Sequence, residues 1–450
     1  MKIFHKGKLV SSYGKGRKME GRAKINRRLI AEYKFDKSIY DNLIPEFNAE
    51  FTNYEIVDEY LDTEDIVTTS TETIMIMYYD AEPDEYGILT TEHEVENIST
   101  FSAENIVTRT IYSEDLPTLM KFGSGQGNPK CLSLLEVKYL NTNNLSRADY
   151  MFDWCENVTS IYTANWDTSN VTNMAYMFKN CSQLTQLDVS NFNTSNVKDM
   201  GAMFWNCIKL TSLDVSNFNT NNVTTMANMF YNCDSLTSLD LSNWNTSNVT
   251  DMNNMFNYCN KLTTLDVSNF DTSNVTSMVN MFIFCTGLTK LDLTSFRLTN
   301  CESIKDMFGY CDNLETIIFP NNFCTSGALT NMQGVFVKCK SLKSLDLSNW
   351  NIANVTIMSW MLQECIALTT LNISNWRLND TIAIQQIFMD SPNIKTIIMN
   401  NSDYNSVNKI ITELPTRTQD SLGILSIAGV DDISQVNIGA VQVKYWNIIN

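Results

Sequence analysis

Nine cysteines mark one position of a repeating unit: Cys155, Cys181, Cys207, Cys233, Cys259, Cys285 and Cys311 stand 26 residues apart, Cys339 follows after 28, and Cys365 after another 26. A fixed period of this length is the mark of a solenoid, in which each unit packs only on its neighbours. The unit reads LTQLDVSNFNTSNVKDMGAMFWNC from Leu184, LTSLDVSNFNTNNVTTMANMFYNC from Leu210 and LTSLDLSNWNTSNVTDMNNMFNYC from Leu236. Weaker copies begin at Leu132 and, without the cysteine, at Leu368. The array therefore runs over residues 130–402 in about ten coils and ends on the strand-like IKTIIMN from Ile394.

Within a unit, Leu187 and Val189 alternate with Asp188, the pattern of a short strand with two residues turned inward and one outward. Ser190 to Asn196 is a polar turn. The spacing of Met174, Met177, Phe178 and Cys181 predicts a short helix, with Ser169 or Asn170 as its N-cap. One coil cannot cover its own apolar face, so neighbours must stack with parallel strands about 4.8 Å apart. The expected fold class is α/β: a solenoid with one parallel strand and one short helix per coil.

The phasing Phe178-x-x-Cys181-x-x-Leu184-x-x-Leu187, preceded by Asn-Val-Thr-x-Met-x-x-Met-Phe, resembles the BspA-type leucine-rich repeats. These occur on bacterial surface proteins, mycoplasma lipoproteins and some bacteriophage structural proteins. The resemblance covers about 60% of the chain by repeat count. It departs from ordinary leucine-rich repeats in one column, where Phe192, Phe218, Trp244, Phe270, Phe296, Trp350 and Trp376 stand in place of an inward asparagine. An aromatic spine is expected to replace the asparagine ladder.

Four columns invite a functional reading. Fifteen of the 22 methionines fall at the positions of Met174 and Met177, where helical spacing favours core packing over a Met-rich binding groove. The column cysteines are expected to be buried and reduced. Stacked coils set their Cβ atoms about 4.8 Å apart, wider than a disulfide needs, and the chain has no Cys-x-x-Cys pair and only His5 and His93. Cys131, Cys301 and Cys324 fall outside the column. Asp188, Asp214, Asp240, Asp266, Asp292 and Asp346 align along the strands, with Glu136 before them and Asn372 after. They are either acceptors for Ser, Thr or backbone N–H groups of a neighbouring coil or a face that binds calcium or a basic ligand. Asn-Val-Thr triplets at Asn157, Asn170, Asn222, Asn248, Asn274 and Asn354 are read as helix caps rather than glycan sites.

Charge divides the flanks. Residues 1–37 carry 12 Lys/Arg against 3 Asp/Glu, residues 38–130 carry 3 against 20, and the whole chain is at −18. We expect a basic arm at 1–37, an acidic β-rich or mixed docking domain at 38–122 with strands near 73–80 and 105–112, a glycine-rich joint at 123–129 (GSGQGNP), and a cap at 403–450. Net acidity disfavours nucleic acid, and no apolar run is long enough for a membrane helix. The first residues have no apolar core of an export signal.

Enzyme chemistry finds no phosphate loop, nucleophile elbow or metal-binding helix, and the Glu92-His93-Glu94-x-Glu96 cluster reads as a solvated acidic loop. The expectation is a non-enzymatic protein without a required cofactor, calcium being the open case. The layout and the ending around LPTRTQD and KYWNI are similar to phage leucine-rich-repeat proteins of Clostridium-like hosts. This implies a virion location, tail or baseplate associated, in multiple copies. The N-terminal region would meet other virion proteins, and the repeats a host surface protein or glycan. The alternative is a cytoplasmic or cell-surface interaction or adhesion protein of a bacterium or protist.

Overall fold

The computed structural model describes residues 2–5, 8–12, 28–47, 54–60, 75–77, 92–94, 106–113, 117, 119–123 and 128–450. The turn at 81–87, Glu96 and most of the basic arm lie outside the described residues. Strands β1 (Lys2–His5) and β2 (Lys8–Ser12) pair antiparallel. There follow β3 (Arg28–Asp36), β4 (Glu46–Phe47), β5 (Tyr54–Tyr60), β6 (Met75–Met77), β7 (Glu92–Glu94), β8 (Ile106–Ser113) and β9 (Met120–Lys121). Small antiparallel pairs join β4 to β9 and β6 to β7.

The first coil opens with helix α1 (Pro129–Ser133), β10 (Leu134–Leu140) and β11 (Ser160–Ile161). These two strands belong to the N-terminal sheet, whose order is β11-β10-β3-β8-β5. The division expected at residues 37 and 123 therefore does not follow the sheet. The segment Arg28–Asp36 is its central strand, paired with β8 on one side and with the first coil's β10 on the other. Its charges are placed by this pairing, with Lys34 Nζ 3.1 Å from Glu136 of β10. Ile30, Tyr33, Phe35 and Ile111 are buried, and Phe122 links the two regions, edge-on to Tyr33 at 4.9 Å and stacked on Phe152 at 5.4 Å.

Beyond β11 the chain is a leucine-rich-repeat solenoid of about 12 coils. Regular parallel strands appear in its later coils: β12 (Lys290–Asp292) with β13 (Thr316–Ile318), then β14 (Ser344–Asp346), β15 (Thr370–Asn372) and β16 (Thr396–Ile398). Strands β17 (Gly423–Ser426) and β18 (Trp446–Ile449) continue the same sheet, with helices α2 (Tyr404–Glu413) and α3 (Ile438–Val443) between.

The helix expected in every coil is instead a run of three overlapping tight turns. In one coil Met229, Tyr231 and Cys233 donate N–H to the carbonyls of Met226, Asn228 and Phe230, three residues back. The N–H groups between them, on Asn228, Phe230 and Asn232, donate to Asn253, Met255 and Asn257 of the next coil at 2.7–3.0 Å. Residues one and five before each of the nine column cysteines hold a left-handed backbone, for example Asn228 and Asn232 at φ 59° and 53°. A helix this short gains little from its own hydrogen bonds, and a left-handed residue every fourth position stops it. The i, i+3, i+4 spacing suits overlapping four-residue turns as well as it suits a helix.

Two aromatic stacks run through the core. Phe152, Phe178, Phe204, Phe230, Phe256, Phe282, Phe308 and Phe336 lie 5.5–5.8 Å apart between successive rings, within 9° of parallel. The spine expected at Phe192 to Trp376 is buried as a second stack, with Trp244 6.4 Å from Phe218 and 6.5 Å from Phe270. It does not replace an asparagine ladder. Asn191 donates to the carbonyls of Thr163 and Trp166 at 3.0 and 3.1 Å, and Asn269 to those of Leu241 and Trp244.

The Asn-Val-Thr asparagines form another ladder rather than caps: Asn222, Asn248 and Asn274 each donate to a carbonyl of the preceding coil at 2.7 Å. All twelve cysteines are free and buried. From Cys181 onward, each column thiol donates to the phenylalanine carbonyl one coil back, as Cys207 to Phe178 (3.2 Å) and Cys285 to Phe256 (3.0 Å). Outside it, Cys301 and Cys324 donate to the carbonyls of Ser303 and Asn351.

Candidate binding groove

The strand face carries the six aspartates singled out by sequence, and the structure gives them a local task. Asp188, Asp214, Asp240, Asp266 and Asp346 are exposed and Asp292 is half-buried. Each accepts the backbone N–H of the residue two positions on, Ser190, Ser216, Ser242, Ser268, Thr294 and Ser348, at 2.9–3.1 Å. The serine hydroxyl adds a second bond to the same oxygen at Asp188 and Asp214 (2.6 Å) and at Asp346 (2.7 Å). The partner is therefore the aspartate's own turn, not the neighbouring coil as the sequence suggested. Among these six carboxylates, only that of Asp346 has a hydrogen bond across coils, from Asn372 at 3.1 Å. The hydroxyls of Ser190 and Ser242, then their N–H groups, hold Asp188 and Asp240 below the usual carboxylate range. Among the described residues, no group of three or more His, Cys, Asp or Glu could hold a metal ion.

The turn face carries the concave feature, a groove of about 590 Å³ that crosses the coils from Trp205 to Met389. It is built by the two left-handed columns and by the position two before the cysteine, where Trp205, Tyr231, Asn257 and Ile283 stand. Five residues before the cysteine stand Asn228, Asn254, Asn280, Asp306, Gly334 and Trp360; one before stand Tyr258, Phe284, Tyr310 and Lys338. A left-handed residue turns its side chain away from the apolar interior that its neighbours Met and Phe fill. That is why Asn, which tolerates this backbone, is so common here.

Aromatics are not favoured in that conformation, at roughly 1–2 kcal/mol each. Yet Tyr150, Trp154, Tyr176, Tyr258, Phe284, Tyr310 and Trp360 all adopt it, with φ between 58° and 62°. Five of these rings stack along the coil axis: Tyr150 on Tyr176 at 4.6 Å, Tyr258 on Phe284 at 4.2 Å, and Phe284 on Tyr310 at 4.3 Å. Trp205 and Tyr231, 4.8 Å apart, continue the stripe from the position two before the cysteine. Lys338 Nζ lies 4.8 Å over the Tyr310 ring and 3.4 Å from Glu364, and Lys179 Nζ 4.8 Å over Trp205.

Of the lining residues only Asp306 and Lys338 are charged, and they are opposite in sign. Burial pushes the Asp306 carboxyl up to about 6, opposed by Lys305. Gly334 is needed beside it: at φ 57° a Cβ there would lie 1.9 Å from Asp306 Oδ1. The sequence reading missed this groove because its two columns vary from coil to coil, whereas the eye follows columns that repeat. The usable signal was a Tyr, Phe or Trp directly before Cys155, Cys259, Cys285 and Cys311.

A family model described as "Mycoplasma protein of unknown function, DUF285" matches residues 129–238, 206–319 and 321–415. Among solved structures, the chain is similar to a leucine-rich repeat protein from Bacteroides ovatus, with 16% identity over 60% of this chain and 80% of that one and a TM-score of 0.27. It is also similar to a leucine-rich-repeat protein of Leptospira interrogans, with 14% identity over 69% and 77% and a TM-score of 0.24. A third similarity is to the LRIM1/APL1C complex, with 17% identity over 61% and 46% and a TM-score of 0.25. No curated protein matches the chain.

Proposed function

The chain belongs to the family described as Mycoplasma protein of unknown function, DUF285, and on that premise we propose that it is a non-enzymatic binding or adhesion protein that holds an extended partner along the turn face of its solenoid. The groove is the observation that carries this reading. Solenoids present long surfaces because every coil contributes the same positions side by side. Here those positions hold half-buried stacked rings and amides in a backbone that disfavours the rings. Such local strain persists where a site requires it. The lining residues include no Ser, Thr, Cys or His to act as nucleophile or base, which supports binding over catalysis. We assign the role no cofactor.

In its finer form the role belongs to a phage particle, with residues 1 to about 120 attached to other particle proteins and the repeats facing a host surface. Its support is the repeat resemblance and the N-terminal sheet, which runs into the first coil through β3 and β10 and so makes a stiff mount. A bacterial surface or interaction protein is the second reading, favoured by the Mycoplasma description of the family. No helix among the described residues is long and apolar enough to cross a membrane.

Two measurements test these statements. Fluorescently labelled full chain is incubated with intact Gram-positive cells; saturable binding supports the binding role and its absence contradicts it. Proteomics of purified phage particles against host cell envelopes then separates the two locations: recovery in particles supports the phage form, and recovery only in envelopes overturns it.

A further inference from the structure

We infer that the ligand of the turn-face groove is a neutral carbohydrate chain, laid along the coil axis on the stacked rings of Tyr258, Phe284 and Tyr310. The inference rests on the binding role proposed above and names its ligand class.

Charge excludes most other polymers. The whole chain carries −18, yet the groove offers one carboxyl, pushed up to about 6, and one ammonium already engaged by Glu364 and the Tyr310 ring. A polyanion would find no cationic row here, and a basic peptide no anionic one. An extended peptide also lacks a free backbone edge to pair with. The N–H groups of Asn254, Phe256, Tyr258 and Phe284 are all donated to the next coil, at 2.9–3.0 Å.

What the groove does offer is a row of apolar ring edges beside amides, since Phe284 is covered by Tyr258 on one face and by Tyr310 on the other. A sugar ring has matching halves, a face of C–H groups and a rim of hydroxyls. Its C–H groups can lie along the apolar edges of the stack, and each hydroxyl both donates and accepts, as a carboxamide does. Asn228, Asn254 and Asn280 set one such amide beside the rings in each of three consecutive coils. A second observation points the same way. Asn257 lines the groove while only 5% exposed; its Nδ2 donates to Asn254 Oδ1 at 3.1 Å, and its own Oδ1 has no hydrogen-bond partner among the described residues. A buried acceptor left unmet is unfavourable, and turning the Asn257 amide toward a ligand hydroxyl would satisfy it.

The test titrates full chain with three neutral glycans (laminarin, yeast mannan and dextran), with heparin as a polyanion and with a proline-rich peptide, by calorimetry and by the fluorescence of Trp205 and Trp360. At least one neutral glycan is expected to bind, with Phe284→Ala and Tyr310→Ala each weakening it 10-fold or more. Asn254→Asp keeps shape and the left-handed tolerance but removes a donor, and is expected to weaken binding at least 3-fold without changing the unfolding temperature. Asp214→Ala on the strand face should leave it unchanged. No binding to any neutral glycan, or glycan binding indifferent to all three groove variants, overturns the inference. If cells or the proline-rich peptide still bind and the groove variants abolish that binding, the carbohydrate assignment falls while the binding role stands; if cells do not bind at all, the role itself falls.

Discussion

The rings of Tyr258 and Phe284 stack 4.2 Å apart and 11° from parallel, although both residues hold a left-handed backbone, at φ 59° and 60°. Stacking of this kind contributes about 0.5–1.5 kcal/mol beyond area burial. That is no more than the roughly 1–2 kcal/mol the backbone disfavours at each position. Stacking alone therefore does not favour these rings over the Asn that fills the same column at Asn180, Asn206 and Asn232. The area that the half-buried rings cover adds to it, and what they present to the groove is a further reason for them.

The left-handed columns predict an unusual substitution pattern. Asn280, at φ 58°, lines the groove without filling the core. Asn280→Gly should change stability by less than about 0.5 kcal/mol, because glycine adopts this backbone freely. Asn280→Val should destabilise by about 1–3 kcal/mol, since a β-branched residue is strained there. Chemical denaturation of the two variants checks this; equal effects would contradict it.

The thiol column predicts inertness and alkaline sensitivity. Burial pushes Cys207, Cys311 and Cys365 up to about 12, so in the fold they stay protonated while an unfolded chain ionises near 8.5. A pKa raised in the fold means that the unfolded state binds fewer protons above pH 8.5. Stability is then full below that pH and falls as pH rises toward 12, by up to about 1.4 kcal/mol per pH unit for each such thiol. Thermal unfolding at pH 7, 9 and 10 should show the decline, and Ellman's reagent at pH 8 should find the thiols of the intact chain unreactive and all twelve reactive after denaturation.

Position 391 shows that the column wants a donor rather than sulfur. Ser391, 26 residues after Cys365, donates to Leu362 at 2.6 Å, as the cysteines donate to phenylalanine carbonyls. Cys259→Ser should therefore cost less than Cys259→Ala, which removes the thiol donor to the Phe230 carbonyl, leaving it only the Cys233 N–H, and loses up to about 1 kcal/mol. The reverse order in urea unfolding would contradict the donor role.

The period was legible because one geometric demand recurs in every coil. A small buried donor at Cys181, a ring at Phe178 and leucines at Leu184 and Leu187 fix the register, and any chain keeping them must stack. The helix was misread because Met174, Met177 and Phe178 report which side faces the core, not which φ the residues between adopt. The left-handed positions at Tyr176 and Asn180 were visible only as a tolerance for Asn, which also marks turns and caps. The charge of strand β3 put it in the arm: Arg28, Lys34 and Lys37 look solvated, while the buried Ile30, Tyr33 and Phe35 alternate between them and make the run strand-like.

The mount built by that strand is itself testable. Tyr33 is fully buried, donates its hydroxyl to Leu43 and meets Phe122, which stacks on the first ring of the solenoid. Tyr33→Ala should destabilise by about 3–5 kcal/mol, and the loss should appear as increased amide exchange in β10 and the coil of Phe152. Exchange unchanged beyond residue 140 would show that the two regions are energetically separate.

The strand-face aspartates predict a null result. Each already spends one oxygen on its own turn, so millimolar calcium should move the unfolding temperature by less than about 1 °C, the outcome expected when nothing binds the folded state. A concentration-dependent rise would restore the cation site along Asp188 to Asp346.

The most direct test compares the two faces. Dissociation constants for a purified cell-envelope preparation are measured with the full chain, with Phe284→Ala plus Tyr310→Ala, and with Asp214→Ala plus Asp240→Ala. If the groove is the recognition surface, the first pair weakens binding at least 10-fold, about 1.4 kcal/mol, and the second by less than 2-fold. Loss of binding in the aspartate pair with the ring pair unaffected would contradict the account.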